Sequence, residues 1–212
     1  MAVFQAHSST GPRLRERQFV VVIAFTTLLL MFCGTTARVA SAAGPGVNLV
    51  DLDDAGAVAA WTTVNDPVMG GQSTSAITFG GGGLFFSGNI SLANNGGFAS
   101  ARSPQDPDIG RRAAGATALR VRAVGDGKTY LLRVGTAGQP WSYIQRFPTE
   151  AAVERIYELP VANFVPVGMR LDPAPDAPPT LDPSGISQIS VYILDKQQGP
   201  FGITIGAIEA AG

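Results

Sequence analysis

Apolar residues recur at every second position in several short stretches of this 212-residue chain, notably 119–123, 189–193 and 201–205. Small or polar residues occupy most of the positions between them. Successive side chains of a β-strand point to opposite faces, so this alternation predicts strands with one buried face. We expect the inner faces to carry Ile189, Val191, Ile193, Ile203 and Ile205.

Six further stretches are rich in aromatic and β-branched residues and predict more strands. They cover 75–79, 83–86, 98–102, 128–134, 141–147 and 153–159. Glycines and asparagines at 80–83 and 94–97 favour tight turns, because these residues accept positive φ angles. The only predicted helix is a turn or two around 54–60, capped by Asp53 or Asp54. Some ten short strands with almost no helix predict an all-β antiparallel sandwich.

The first 42 residues are predicted to lie outside this domain, which then covers 43–212. Arg13, Arg15 and Arg17 precede a mostly apolar run at 19–33, and small residues at 40–42 allow cleavage after Ala42. The run is shorter than the about twenty residues of a membrane span. We therefore expect a cleavable targeting or signal segment, with an N-terminal anchor close to a membrane as the alternative.

The basic stretch before the apolar run is long for a secretory signal and is similar to a bipartite organellar presequence. We expect import into an organelle, with the thylakoid lumen or the secretory route through the 19–33 signal as alternatives. The tripeptide that begins at Asn89 is an N-glycosylation acceptor and would be modified only on the secretory route.

The composition of 43–212 excludes several kinds of chemistry. The only histidine and the only cysteine, His7 and Cys33, both precede residue 43. Nucleophilic catalysis by Ser-His-Asp or Cys-His groups and the usual zinc sites are therefore excluded for a chain cleaved after Ala42. That chain holds 11 basic and 15 acidic residues, a net charge of −4. This is the wrong sign for binding by phosphate neutralisation, so no nucleic-acid partner is expected.

Carboxylates are the remaining candidates for chemistry. Asp66 and Asp195 are the one pair that could serve a glycosidase, which needs two facing carboxyl groups; the alternative is that both brace turns. Asp51, Asp53 and Asp54 offer oxygen ligands for calcium but lack the glycine-spaced loop of a specific site. We expect no enzyme activity, no bound metal and no cofactor.

Trp141, Tyr143 and Gln145 share one face of a predicted strand, with Ser142 and Ile144 on the other. An aromatic and amide face of this kind can stack a sugar or seat a partner chain. It can equally belong to the core, which is the interpretation we favour for Trp141.

One segment carries a longer pattern, W-T-T-V-N-D-P-V-M-G-G-Q-S from Trp61, followed by N-G-G-F-A-S-A-R ending at Arg102. It resembles the signature of the complex I intermediate-associated protein 30 family, and the stretch from Asp195 to Ile205 is similar to the family's closing strands. The resemblance spans about 47–210. It implies a galactose-binding-like jelly-roll and a non-catalytic assembly factor that holds subunits of a membrane complex, mitochondrial complex I in the founding case. The alternative is a module that binds carbohydrate or another ligand, by analogy of fold alone.

The signature residues also suggest where a client subunit binds. We hypothesise that two turns and one arginine form a single surface. It would offer asparagine amides, an adaptable methionine side chain and the planar guanidinium of the arginine. The opposing hypothesis is that Arg102 pairs with Asp66 inside the domain and that the motif only closes the fold. The candidate residues are Asn65, Asp66, Met69, Gly70, Gly71, Asn94, Asn95, Phe98 and Arg102.

Overall fold

The computed structural model describes residues 46–212. The predicted leader, its cleavage site after Ala42 and the apolar run at 19–33 lie outside the described residues. Within 46–212, no helix is long and apolar enough to cross a bilayer.

The described chain forms twelve strands and two short α-helices. In chain order they are β1 (Val47–Asn48), α1 (Ala55–Ala59), β2 (Thr62–Asn65), β3 (Thr74–Gly80), β4 (Gly83–Ile90), β5 (Ala99–Arg102), α2 (Asp108–Ala113), β6 (Ala118–Val124), β7 (Thr129–Thr136), β8 (Ser142–Pro148), β9 (Glu154–Pro160), β10 (Val165–Val167), β11 (Ile186–Ile193) and β12 (Gly199–Ala211).

Two six-stranded sheets pack face to face. The first sheet has the order β3-β4-β12-β6-β9, with β1 also paired to β12, and the second has the order β10-β8-β7-β11-β5-β2. Every pairing between these strands is antiparallel. The predicted all-β antiparallel sandwich is therefore confirmed.

The apolar core lies between the sheets, as the alternation predicts. Ile189, Val191 and Ile193 of β11 are fully buried, and so are Ile203 and Ile205 of β12. Burying a branched aliphatic side chain contributes roughly 1.5 to 3 kcal/mol, so these strands supply much of the stability of the sandwich.

Shortening one of these side chains should be costly. We expect Val191→Ala to lower the free energy of unfolding by about 1 to 3 kcal/mol, through lost burial and the cavity left behind. Urea unfolding followed by fluorescence measures it. Val68→Ala is the matched control, because Val68 is 72% exposed and should change stability by less than about 0.5 kcal/mol. Equal losses in the two variants would contradict this placement of the core.

The predicted helix exists as α1, and Asp54 rather than Asp53 caps it, accepting a hydrogen bond from Ala57 N at 2.8 Å. A second helix, α2, was not predicted, so the expectation of one helix was wrong. Its six residues are too few to show a helical period. Its third residue, Gly110, packs so closely against the backbone carbonyl of Ser184 that a Cβ atom would not fit there. Three strands also escaped prediction, since β1 and β10 are very short and β2 has no buried residue.

Candidate functional site

Asp66 lies at the centre of the family-like segment, and its carboxylate is buried, with 1% of the residue exposed. It follows β2 and begins a short 3-10 turn, Asp66–Met69, in which Pro67 occupies the first turn. One carboxylate oxygen accepts a hydrogen bond from Ser73 N at 2.7 Å. The other accepts from the Ser73 hydroxyl, from Gly97 N at 2.6 Å and from Phe98 N at 3.2 Å. The side chain thus joins two segments about thirty residues apart in sequence.

Glycines make room for this carboxylate. A Cβ atom at Gly71 would overlap the side chain of Asp66, and one at Gly96 would lie 2.7 Å from Asp66 Oδ2. The backbone is joined at the same place, because Asp66 N donates to Phe98 O at 3.3 Å and Gly71 N donates to Asp66 O at 3.0 Å. The N-D-P-V-M-G-G and N-G-G-F motifs therefore form one unit packed around a single carboxylate.

The surroundings of Asp66 do not suit a catalytic acid. Burial raises the pKa of Asp66, but the hydrogen bonds from Ser73, Gly97 and Phe98 outweigh it, and the pKa lies below its usual value. A glycosidase acid needs a raised pKa and an open cleft. Asp195, the other half of the nominated pair, is bound by Arg146 Nε at 2.7 Å and Arg146 Nη2 at 2.9 Å. Both carboxylates brace the structure, which agrees with the alternative stated from the sequence.

Above the buried carboxylate, the turn exposes apolar side chains. Val68 is 72% exposed and Met69 is 61% exposed. Gly70 follows with φ of 91°, and its carbonyl accepts a hydrogen bond from Asn94 Nδ2 at 3.2 Å. We call the exposed groups of Val68, Met69, Gly70, Asn94 and Asn95 the signature surface. Both asparagines are exposed and adopt positive φ angles, 55° and 59°.

Other hypothesised members of this surface lie elsewhere. Asn65 is half-buried and its amide is hydrogen-bonded to the hydroxyl of Ser75. Phe98 is half-buried against a tyrosine of the second sheet. Arg102 does not pair with Asp66: it donates to Ser100 Oγ at 3.2 Å and to the hydroxyl of Tyr192 at 2.8 Å. The single surface proposed from the sequence is therefore two regions, with Arg102 on the outward face of the second sheet.

The second candidate face, at 141–145, turns towards the core. Tyr143 is buried and its hydroxyl donates to Pro178 O at 2.9 Å, while Trp141 packs at the margin of the same core. Gln145 Oε1 is buried and has no hydrogen-bond donor among the described residues. The core interpretation therefore holds for Tyr143, whereas Trp141 and Gln145 are only partly buried, and a sugar or partner site at this face stays a prediction.

The weak calcium candidate has other roles in the described part of the chain. Asp51 accepts a hydrogen bond from Asp53 N at 3.0 Å, and Asp54 caps α1. No group of three potential metal ligands occurs within 46–212.

An open groove of about 720 Å³ runs beside Asp51 and Trp61. At its wall Arg112 Nη2 donates to Asp106 Oδ2 at 2.9 Å and to Leu49 O at 2.7 Å.

Comparison with solved structures shows the fold. The family 11 carbohydrate-binding module of the cellulosomal cellulase Lic26A-Cel5E of Clostridium thermocellum superposes with a TM-score of 0.53 at 14% identity, over 76% of this chain and 94% of that one. A family 11 module from Clostridium thermocellum in complex with a β-1,3-1,4-mixed-linked tetrasaccharide gives 0.52 at 15% identity, with the same coverage. These similarities agree with the all-β sandwich that the described residues form, which confirms the predicted fold class.

Comparison with known sequences shows the family. None of the curated proteins matches the chain significantly. The family model described as complex I intermediate-associated protein 30 (CIA30) matches residues 50–205. That range contains Asp66, the glycines around it and the signature surface. The chain belongs to the complex I intermediate-associated protein 30 family.

Proposed function

We propose that this protein is a non-catalytic assembly factor that binds a subunit of a membrane complex, respiratory complex I, through the signature surface. The observation that carries the proposal is the exposure of Val68 and Met69 on a turn that Asp66 holds in one conformation. The backbone of a turn held by such hydrogen bonds loses less conformational entropy on binding than a flexible loop would, which leaves more of the contact energy for affinity. Methionine also adapts its shape to different partners.

The chemistry of the site supports binding rather than turnover. The carboxylate at its centre accepts four hydrogen bonds from Ser73, Gly97 and Phe98, and its lowered pKa keeps it ionised at neutral pH. The exposed groups around it are two apolar side chains, two amides and a carbonyl. Groups of these kinds form the apolar centre and polar margin of protein interfaces.

Carbohydrate binding is the alternative raised by the structural neighbours. At 14% and 15% identity the similarity shows the fold alone. In the aromatic face that the sequence offered for sugar stacking, Tyr143 belongs to the core and is only 3% exposed. No described feature of this chain favours a sugar over a protein client, and we propose the client.

The proposal predicts a loss of clients from a double variant. Full-length tagged protein is purified from detergent-solubilised organelle membranes, and bound complex I subunits are quantified by mass spectrometry. We expect Val68→Ser/Met69→Ser to reduce recovery of those subunits about tenfold or more, since central apolar contacts contribute 1 kcal/mol or more each. The wild type should be found with partly assembled subunits and be absent from the mature complex.

Ile156→Ser is the matched control. Ile156 lies on β9 of the first sheet and is 61% exposed, as Met69 is. Recovery with this variant should equal that of the wild type. Unchanged recovery with the double variant would refute the signature surface as the client site, and retention of the wild type on mixed-linked β-glucan would favour the carbohydrate alternative.

We also propose that the protein works inside an organelle. Asn89 is exposed on β4, so an oligosaccharyl transferase that met the folded or unfolded chain could reach it. For an imported protein we expect no change in mass after glycosidase treatment of the native material. A mass shift that disappears in Asn89→Gln would place the protein on the secretory route instead.

A further inference from the structure

On the outward face of the second sheet, two arginines flank one strand, with one arginine on each side. Arg102 of β5 and Arg133 of β7 both lie opposite Ser190 of β11, one on each flank. Tyr192 is two residues further along β11 and therefore points to the same face. The antiparallel register thus brings together three side chains that are far apart in sequence.

Both guanidinium groups donate to one oxygen. Arg102 Nη2 lies 2.8 Å and Arg133 Nη1 lies 3.2 Å from the hydroxyl of Tyr192. Arg133 Nε is buried and has no acceptor among the described residues. Each guanidinium carries five donor hydrogens. Two guanidinium groups around one neutral hydroxyl therefore have more donors than that hydroxyl can accept. Both arginines are only partly buried, so an added acceptor could reach the guanidinium hydrogens that remain.

These two arginines also differ from six of the other seven arginines in the described chain, Arg170 being the seventh. Six arginines have a carboxylate within 4.0 Å: Arg111, Arg112, Arg120, Arg122, Arg146 and Arg155. Arg102 and Arg133 have none within that distance, although two like charges share one tyrosine. The residues from 43 onward carry a net charge of −4. The cationic face is thus a local exception in a protein of net negative charge. That net charge gives the protein no general attraction for anions.

We infer that this face binds a carboxylate of an acidic protein segment, with the guanidinium groups of Arg102 and Arg133 as its two donors. A planar guanidinium matches the two oxygens of a carboxylate, and a bound carboxylate would neutralise the pair and accept from Nη hydrogens that the Tyr192 hydroxyl leaves unused. The protein nature of the ligand rests on the proposed function. The carboxylate chemistry rests on the face itself.

The aromatic ring in this face is not open to a sugar. Tyr192 is 4% exposed, the guanidinium carbon of Arg102 lies 5.5 Å from its ring centroid, and the Phe98 ring lies 6.5 Å away. Sugar stacking needs an accessible ring face. Leu171 and Leu194 pack against the same cluster and offer apolar contacts of the kind that peptide side chains make. These observations favour an acidic peptide over an acidic sugar.

A titration of the full-length protein with hexaglutamate tests the inference. The readout is the NMR signal of the arginine Nε–H groups, with hexaglutamine as the uncharged control peptide. We expect the Nε–H signals of Arg102 and Arg133 to shift and saturate with hexaglutamate only, and the affinity to fall with added salt. No client is present, so this measurement succeeds or fails independently of the co-purification experiment.

Variants assign the effect to the two arginines. Arg102→Gln and Arg133→Gln should each weaken hexaglutamate binding about tenfold or more, because each removes a charged hydrogen-bond donor to the carboxylate. Arg133→Lys, which keeps the charge without the planar fork, should also weaken it. Arg155→Gln is the matched control, since Arg155 is paired with Glu150 away from this face, and it should change affinity less than twofold.

Four outcomes would overturn the inference. They are a wild-type Arg133 Nε–H signal that does not respond to hexaglutamate, an unchanged affinity in Arg102→Gln, equal affinity for inorganic phosphate, and tighter binding of hexagalacturonate than of hexaglutamate. The phosphate result would show a general anion site. The galacturonate result would assign the face to acidic sugars.

Discussion

We expect Asp66→Ala to lower the free energy of unfolding by about 3 to 5 kcal/mol. The substitution removes the acceptor of four hydrogen bonds and leaves the amides of Ser73, Gly97 and Phe98 inside the protein without that partner. Breaking a buried charged network from one side has a cost of this size. Urea unfolding at pH 7 measures it.

Asp195→Ala is the control for this experiment. It removes the same kind of group, but the Asp195 side chain is 39% exposed in its pair with Arg146. Pairs at the surface contribute about 0 to 1 kcal/mol. A similar loss in both variants would show that Asp66 is not the centre of the fold in this region.

A glycoside-hydrolysing activity abolished by Asp66→Asn with the fold intact would contradict the non-catalytic proposal.

The pH dependence of stability should identify the same group. The pKa of Asp66 is lower in the folded protein than its ordinary value of 3.8. The folded state therefore binds fewer protons than the unfolded state between those two values, and stability falls as the pH decreases through this range. The stability difference between the wild type and Asp66→Ala should be constant at neutral pH and narrow below about pH 4. A constant difference down to pH 2 would contradict the lowered pKa.

Gly71→Ala should be the second most damaging change in this region, at about 3 kcal/mol. The new methyl group would overlap the Asp66 side chain, which four hydrogen bonds prevent from moving aside. Gly70→Ala is a matched neighbour with a different cause. Nothing lies within 4 Å of a Cβ at Gly70, but its φ of 91° is unfavourable for alanine and should cost about 1 to 2 kcal/mol. Thermal and urea unfolding would rank the two.

A double-mutant cycle separates these causes. In an Asp66→Ala background the two shortest contacts of a residue 71 methyl group, with Oδ1 and Cγ of Asp66, are gone and only the 2.7 Å contact with Cβ of residue 66 remains. Gly71→Ala should therefore be less harmful there by about 1 kcal/mol or more. Gly70→Ala should cost the same in both backgrounds, because its strain is local to the backbone. Additive effects for Gly71→Ala and Asp66→Ala would refute the steric explanation.

Much of the sandwich could be predicted because its information is local. The alternation around Val191 and Ile203 depends only on neighbouring positions, and both side chains are buried as expected. The glycines of the 80–83 turn supply the positive φ angles, 63° and 81°, that the hairpin between β3 and β4 requires. Asp54 caps α1 from three residues away. In each case the cause and its effect lie within one turn or one strand.

The site depended on residues that the chain brings together from afar. The Asp66 carboxylate accepts from an amide 31 residues away, and Arg102 meets Tyr192 across 90 residues. Spacing within a motif cannot show which of two acceptors an arginine finds, and the pairing of Arg102 with Asp66 was therefore an open alternative. Arg133 had no local pattern that marked it, because its role arises from the register of β7 on β11.

The sequence by itself determined nine of the twelve strands, the main turns, the family and the lack of histidine and cysteine in 43–212. Tertiary structure decided which faces became interior. Period two shows that Trp141, Tyr143 and Gln145 share a face, but not whether that face meets the other sheet or the solvent. Both faces of β8 carry apolar residues, so only the packing of the two sheets places Tyr143 inside and directs Arg102 and Arg133 outward.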